Sequence, residues 1–391
     1  MTDMTVSRAA TAARIVRSAS VEVTTPGAAR VLAERLGPDL EAVILFAAPA
    51  CDLDALFRGA EAHMGGARLI GCSTAGEIDE TGYAEGRILA IGLPRSHFRT
   101  RAVPLASPAE LPPEQLMRDM LETRNALARE APDWRHEFAF LLIDGLSQQE
   151  DRMAAAVAAT LGSVPLFGGS AGDMERFGST RVFAGGAASP GGAALLLVRS
   201  ACPVRVFKSD HFQPTERRMV ITGTDPERRR VTSINGAPAA EELARIIGIA
   251  PAALDRRFLA AHPLVVRIAG EHHVRSISHV GAAGELHFFS AIGTGLVLSL
   301  AASTDMAGHL RSVLDGLAEP RAPDFILGCD CLLRRLEARE KQQSATLSAL
   351  MRSHRLQGFS TYGEQLGAMH VNQTLTGVAI YPPADPAGEA P

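Results

Sequence analysis

At 391 residues the chain exceeds the usual size of one hydrophobic core, so two domains are the natural expectation. Hydrophobic residues at 46% against charged residues at 21% speak against disorder, and a net charge of −4 gives no electrostatic reason to expect a nucleic-acid partner. Five scattered cysteines are too few for a disulfide framework and fit a reducing cytoplasm. Residues 1–20 carry Arg8, Arg14 and Arg17 with no apolar run behind them, so a secretory leader is not expected. No window holds the roughly 20 apolar residues of a membrane span, and the expectation is a soluble, cytoplasmic protein without membrane contact.

In chain order, Gly27–Leu36 places Ala28, Val31, Leu32 and Leu36 at helical spacing, and Glu41–Ala47 is an apolar strand. Cys51–Met64 predicts a helix and Ala67–Ile70 a second strand, followed by a strand over Arg87–Leu93. A helix over Pro112–Arg129 is entered through Pro-Pro-Glu, and Phe138–Ile143 is a strand. A helix over Met153–Leu161 and strands over Val164–Phe167 and Ala193–Val198 complete an alternating pattern.

Near residue 200 the character shifts to shorter strand-like pieces with turns at Thr224-Asp225-Pro226 and Asn235-Gly236. A helix over Ala239–Ile247 precedes strands over Leu264–Ile268, Val274–Ser278, Glu285–Ser290 and Gly293–Leu300. Met306–Leu317 predicts a helix, Asp324–Cys329 a strand, Leu332–Met351 one long helix and Gly377–Tyr381 a last strand. The expected fold is α/β, with mixed sheets covered by helices. An alternating α/β half spans residues 20–200 and an α+β half spans 201–382.

Three segments share one chemistry: Gly71-Cys72-Ser73-Thr74-Ala75-Gly76-Glu77-Ile78, Gly168-Gly169-Ser170-Ala171-Gly172-Asp173, and Gly358-Phe359-Ser360-Thr361-Tyr362-Gly363-Glu364. Each runs from apolar residues through glycine to an acid, which predicts strand ends converging on one polar pocket. Its candidate lining is Cys72, Ser73, Thr74, Glu77, Gly169, Ser170, Asp173, Tyr362, Glu364 and Asn372. The loops match neither phosphate-binding glycine pattern, so nucleotide binding is weakly supported. Cys329-Asp330-Cys331 is too closely spaced for a zinc ribbon, and no base stands beside Cys72 in sequence. The carboxylates read equally as turn and cap formers, so no catalytic residue is assigned.

Two histidines stand apart from the other ten. His211 lies against Phe212 and near the rigid Pro214, and His370 lies beside Met369. Either imidazole could serve as an axial ligand to haem iron, and each reads otherwise as a buried histidine.

At these same segments the chain resembles the FIST sensory domains. The GCST-x-GEI block stands here as Gly71–Ile78 and the GGS-AGD block as Gly168–Asp173. The strand into a cysteine-and-arginine helix stands as Phe325–Arg335, followed by Phe359–Glu364 and Asn372–Thr374. The resemblance covers about residues 20–382, with an N-terminal and a C-terminal FIST domain. Gly358–Ile380 is similar to the haem-binding, nitric-oxide-sensing branch called NosP.

That resemblance implies a noncovalent haem b that binds nitric oxide and alters how the protein engages a separate histidine kinase. Two-component, cyclic di-GMP or biofilm signalling would follow downstream. It does not distinguish His211 from His370 as the iron ligand; Phe212 and Pro214 would restrict the His211 ring, which favours His211. The alternative is a FIST module sensing a small polar ligand such as an amino acid, without haem. A hydrolytic or redox enzyme using Cys72 or the Cys329 and Cys331 pair is the reading least expected. Monomer and homo-oligomer are left open.

Overall fold

The computed structural model describes residues 14–383 apart from 108, 109, 111, 186, 189, 190 and 269. One unit of about 80 residues or more recurs three times along the chain. In the first copy it runs β1 (Arg17–Glu22), α1 (Ala28–Leu36), β2 (Leu40–Ala47), α2 (Leu53–His63), β3 (Arg68–Ser73), a hairpin of β4 (Glu77–Asp79) and β5 (Gly82–Ala84), and β6 (Arg87–Pro94). The second copy runs β7 (Phe98–Leu105), α3 (Pro113–Glu130), β8 (His136–Ile143), α4 (Glu150–Leu161), β9 (Leu166–Ser170), the hairpin β10 (Val182–Ala184) and β11 (Ala187–Ala188), and β12 (Ala193–Ser200).

The third copy opens with β13 (Val204–Ser209) and is then interrupted by an inserted module. That module holds β14 (Phe212–Asp225), β15 (Arg230–Ile234), β16 (Ala237–Pro238), α5 (Ala239–Ile247), α6 (Arg256–Ala261), β17 (Leu264–Ile268), β18 (Glu271–Arg275), β19 (Ile277–Val280), β20 (Leu286–Phe288) and β21 (Val297–Ser303). The copy resumes with α7 (Met306–Ala318), β22 (Phe325–Cys331), α8 (Leu332–Glu340), α9 (Ser344–Ser353), β23 (Leu356–Thr361), the hairpin β24 (Glu364–Leu366) and β25 (Met369–Val371), and β26 (Leu375–Ile380).

Each copy builds a mixed sheet in the same order, and each sheet is finished by the hairpin of another copy. The orders are β1-β6-β2-β3-β10-β11, β7-β12-β8-β9-β24-β25 and β13-β26-β22-β23-β4-β5. The first copy thus lends its hairpin to the third, the third to the second, and the second to the first. Within each sheet one pair is parallel, β2 with β3, β8 with β9 and β22 with β23. Helices α2, α4 and the α8-α9 pair make the crossovers that parallel pairing requires.

Alternation along the strands turns one face of every sheet to a shared core, where Phe46, Phe140, Phe167, Phe325 and Phe359 meet. The opposite faces pack on each copy's own helices. The inserted module has its own core and an eight-stranded sheet.

The first glycine of each of the three related segments has one packing role. A Cβ on Gly71 would lie 2.0 Å from Leu45 O, on Gly168 1.9 Å from Leu141 O, and on Gly358 1.8 Å from Gly328 O. Close approach to the parallel neighbour's backbone, rather than turn conformation, therefore demands glycine there. Elsewhere the expected helix over Leu332–Met351 is broken into α8 and α9, and Gln342 at φ 58° marks the break. The first strands of the first two copies, β1 and β7, were not among the expected elements, because their half-buried, polar-interrupted patterns hide the period-2 signal, while β13 falls among the short strand-like pieces expected after residue 200. Among the described residues no helix is long and apolar enough to cross a membrane.

Candidate functional site

The three related segments do converge. Ser73 and Ser170 end β3 and β9, Ser360 is the last residue but one of β23, and backbone hydrogen bonds tie the ends into a ring. Ala75 N donates to Ser360 O at 2.9 Å and Ser360 N to Gly76 O at 2.7 Å. Ser170 N donates to Gly363 O at 2.8 Å, Tyr362 N to Ser170 O at 3.2 Å, and Gly172 N to Ser73 O at 3.1 Å. The serine hydroxyls are also taken: Ser73 Oγ accepts from Arg181 N, Ser170 Oγ from Gln365 Nε2 and Ser360 Oγ from Arg335 Nη1.

The acids close on their own segments. Thr74 Oγ1 donates to Glu77, and at the equivalent positions Thr361 Oγ1 donates to Glu364. Arg87 N adds a bond to Glu77, and the amide and hydroxyl of Thr374 add two to Glu364. Burial pushes the Glu77 carboxyl up to about 7 and that of Glu364 up to about 8, despite these donors. Asp173 is held differently: it accepts from Phe177 N, Gly178 N and Ser179 N at 2.8 to 2.9 Å and from the Tyr362 hydroxyl. Although burial opposes it, this set of donors keeps the Asp173 carboxyl below its ordinary range.

The pocket expected at the strand ends is therefore corrected to a closed, hydrogen-bonded core. Cys72, Thr74, Glu77, Ser170 and Glu364 are buried, and Gly169 admits no side chain because Thr361 and Phe359 fill the space. Of the ten candidate lining residues, Tyr362 alone borders one of the larger clefts. Cys72, Cys329 and Cys331 have thiols raised well above their ordinary range, mainly by burial, so none presents a thiolate.

The two histidines proposed for haem iron do not fit it as arranged. His211 Nε2 bonds Glu337 at 3.0 Å and Nδ1 meets Arg334 Nη1 at 2.9 Å, so both ring nitrogens are engaged. Phe212 packs on the ring with centroids 4.3 Å apart, while Pro214 pairs with Ala301 in the inserted sheet. Burial, the largest cause, lowers the affinity of His211 for a proton, and Glu337 is lowered to about 2 by its bonds to His211, Lys341 and Ser303 although burial opposes it. From His211 the network runs on through Arg334 and Asp330 to the Tyr83 hydroxyl. His370 has a free Nε2, but the atom faces Gly363, where even a Cβ would stand 2.6 Å away. Met369 is half-buried at the start of β25.

Sequence reasoning missed the cleft that the fold does form. It measures about 570 Å³ and lies where the inserted module meets the second and third copies. Phe177 stacks on Tyr362 with ring centroids 4.3 Å apart, and Phe289 stands 6.3 Å from Phe177. Arg176, Arg228 and Arg229 supply positive charge. Arg229 is bound to Glu150 and Asp151, Arg228 reaches Asp225 at 3.8 Å, and among the described residues Arg176 has no ion pair. His279 and His287, two of the ten histidines assigned no role from sequence, stack across β19 and β20 at 4.3 Å and line the same cleft. The long connection Ala171–Arg181 between β9 and β10 was the available signal, because the matching connections in the other copies span only three and two residues.

A second, more apolar cavity of about 720 Å³ lies between α6 and α8, floored by Leu332, Leu333 and Leu336 and sharing Phe177 with the first. Among the described residues no cluster of side chains could hold a metal ion.

No curated protein matches the chain. A solved structure described as "Cyanuric acid hydrolase: evolutionary innovation by structural concatenation" is 9% identical, with a TM-score of 0.33, and the match covers 93% of this chain and 99% of that one. The FIST N domain matches residues 41–237 and the FIST C domain matches residues 239–366. The chain thus belongs to the FIST family, whose domains are sensory.

Proposed function

We propose that the protein is a sensory module that takes a small, planar anion into the cleft between the inserted module and the three-copy body, and reports its occupancy to a partner. The observation that carries this reading is that the stacked pair Phe177 and Tyr362 shares the cleft with Arg176, which has no ion pair among the described residues, and with Arg228, whose ion pair with Asp225 is long at 3.8 Å. An outer ring face of the stacked pair takes a flat ligand, and guanidiniums only loosely engaged by carboxylates take its charge. Because the walls come from two parts of the chain, a bound ligand changes how firmly they are held together. A partner that distinguishes the two arrangements reads that change. On the resemblance, the partner is a histidine kinase.

Thermal unfolding of the full chain against a panel of aromatic and aliphatic carboxylates and nucleotides tests the ligand. Aromatic carboxylates are expected to raise Tm, and the double variant Arg176→Ala, Arg228→Ala to lose that response. A panel without effect, or a double variant that responds like the parent, would sink the reading.

The haem reading requires His211 to leave both Glu337 and Arg334, or His370 to leave the Gly363 backbone. Its test is the visible spectrum of the chain mixed with haemin. A Soret band that moves on reduction and with nitric oxide, and is lost in His211→Ala or His370→Ala, would replace the planar-anion reading with the haem one.

A further inference from the structure

Buried polar atoms without hydrogen-bond partners gather at one seam, behind the cleft. Of fourteen such atoms among the described residues, six belong to it: Arg275 Nε, Ser290 Oγ, Gln365 Oε1, His370 Nε2, and both Nδ2 and Oδ1 of Asn372. The five residues are between 0 and 7% exposed. Gln365, His370 and Asn372 come from the hairpin β24-β25 and its exit, and Arg275 and Ser290 come from the inserted module.

Neighbouring bonds fix these residues together. Ser276 Oγ donates to Gln373 Oε1 at 3.0 Å, and Phe289 N donates to Ser276 O at 3.0 Å. A Cβ on Gly363 would lie 2.6 Å from His370 Nε2 and 2.9 Å from Asn372 Nδ2, so these nitrogens face one backbone glycine. On the cleft side the seam is closed by Arg229, which bonds Glu150 and Asp151, and by Ala291 N, which donates to Asp151.

The chemistry of the unused atoms is specific. Gln365 Nε2 donates to Ser170 Oγ and approaches His370 Nδ1 at 3.3 Å; with the amide in this orientation Nδ1 accepts and Nε2 carries the proton. The seam therefore offers four donors, from Arg275, Ser290, His370 and Asn372, against two amide oxygens. Arg275 brings a full charge. Among the described residues its Nη1 bonds only its neighbour's carbonyl, Val274 O, at 3.1 Å, and no carboxylate pairs with it. Asp151, the one acid acting on it, is already bound to Arg229. A buried guanidinium without a counter-ion is costly, and water would satisfy its hydrogen bonds without balancing its charge.

We propose that this seam binds a small oxyanion, of the size of formate, nitrate or bicarbonate, between Arg275 and the His370–Asn372 pair. The site is separate from the cleft and bridges the inserted module to the hairpin of the third copy.

The test uses the full chain titrated with sodium formate, nitrate, bicarbonate or chloride at constant ionic strength. At least one of the three oxyanions should give a saturable rise in Tm of about 3 °C or more at saturation, and chloride should not. The His370 Nε2 proton resonance should move with that anion. Arg275→Met removes the uncompensated charge, so it should fold at least as well as the parent and lose the response. Asn372→Asp supplies a resident negative charge and should also become insensitive to the anion. Arg228→Ala, in the outer cleft, should keep the response, which separates this site from the ligand site proposed above. The proposal is overturned if none of the oxyanions shifts Tm, leaving water as sufficient, or if Arg275→Met and Asn372→Asp respond like the parent.

Discussion

Glu77 and Glu364 occupy equivalent places in two copies, each capped by the threonine three residues before it. Both carboxyls are raised from the ordinary 4.5, to about 7 and about 8. The folded state therefore binds these protons more tightly than the unfolded chain does. The stability they confer is full below the ordinary value and is lost as pH rises through about 7 and 8. Stability in urea should accordingly fall between about pH 5 and pH 8, and Glu364→Gln should flatten much of that slope; an unchanged slope would contradict the protonated state inferred here. Glu337 has the opposite sign, since its carboxyl is lowered to about 2 and its contribution vanishes only in strong acid. His211→Ala would leave Glu337 and Arg334 buried without their shared partner, at a cost of roughly 3–5 kcal/mol in equilibrium unfolding. Gly168→Ala would force a methyl against Leu141 O and should cost about 3 kcal/mol.

At the scale of elements, most helices and core strands were legible because their patterns are local. The β-branched run Glu41–Ala47 and the amphipathic Pro112–Arg129 read directly as the strand and helix that form. Convergence of the three glycine segments was also legible, since the same letters recur. Their closure was not, because it depends on bonds between residues far apart in sequence, such as Ala75 with Ser360. Glu77–Asp79 and Glu364–Leu366 are strands of three residues whose partners lie in other copies, and no periodicity can reveal a pairing of that kind. The break between α8 and α9 was missed for a local reason: Gln342 adopts a left-handed conformation that its residue type does not announce. Gln342→Gly should therefore stabilise the fold by about 1 kcal/mol, measurable as a shift in urea midpoint; destabilisation would show that the glutamine side chain contributes more than its backbone strain costs.

For the whole molecule, the exchange of hairpins means that the two family-matched regions share sheets. The β4-β5 hairpin of the first region completes the sheet of β23, and β24-β25 from beyond residue 360 completes that of β9. Fragments 1–200 and 201–391, produced separately, should each expose unpaired strand edges and fail to give a sharp unfolding transition. Mixed together, they should recover one. Independent folding of either fragment would show that the exchanged hairpins are dispensable.

That same exchange governs how the protein is made. At the ribosome, β4 emerges early but finds its partner strand only after residue 356 has been synthesised. The second sheet likewise waits for residues 364–366. Unlike a string of domains that fold as they emerge, this chain holds incomplete sheet edges until residues 356–366 have been made. A nascent-chain stage of that length is where a chaperone holding unpaired strands would have most effect on yield.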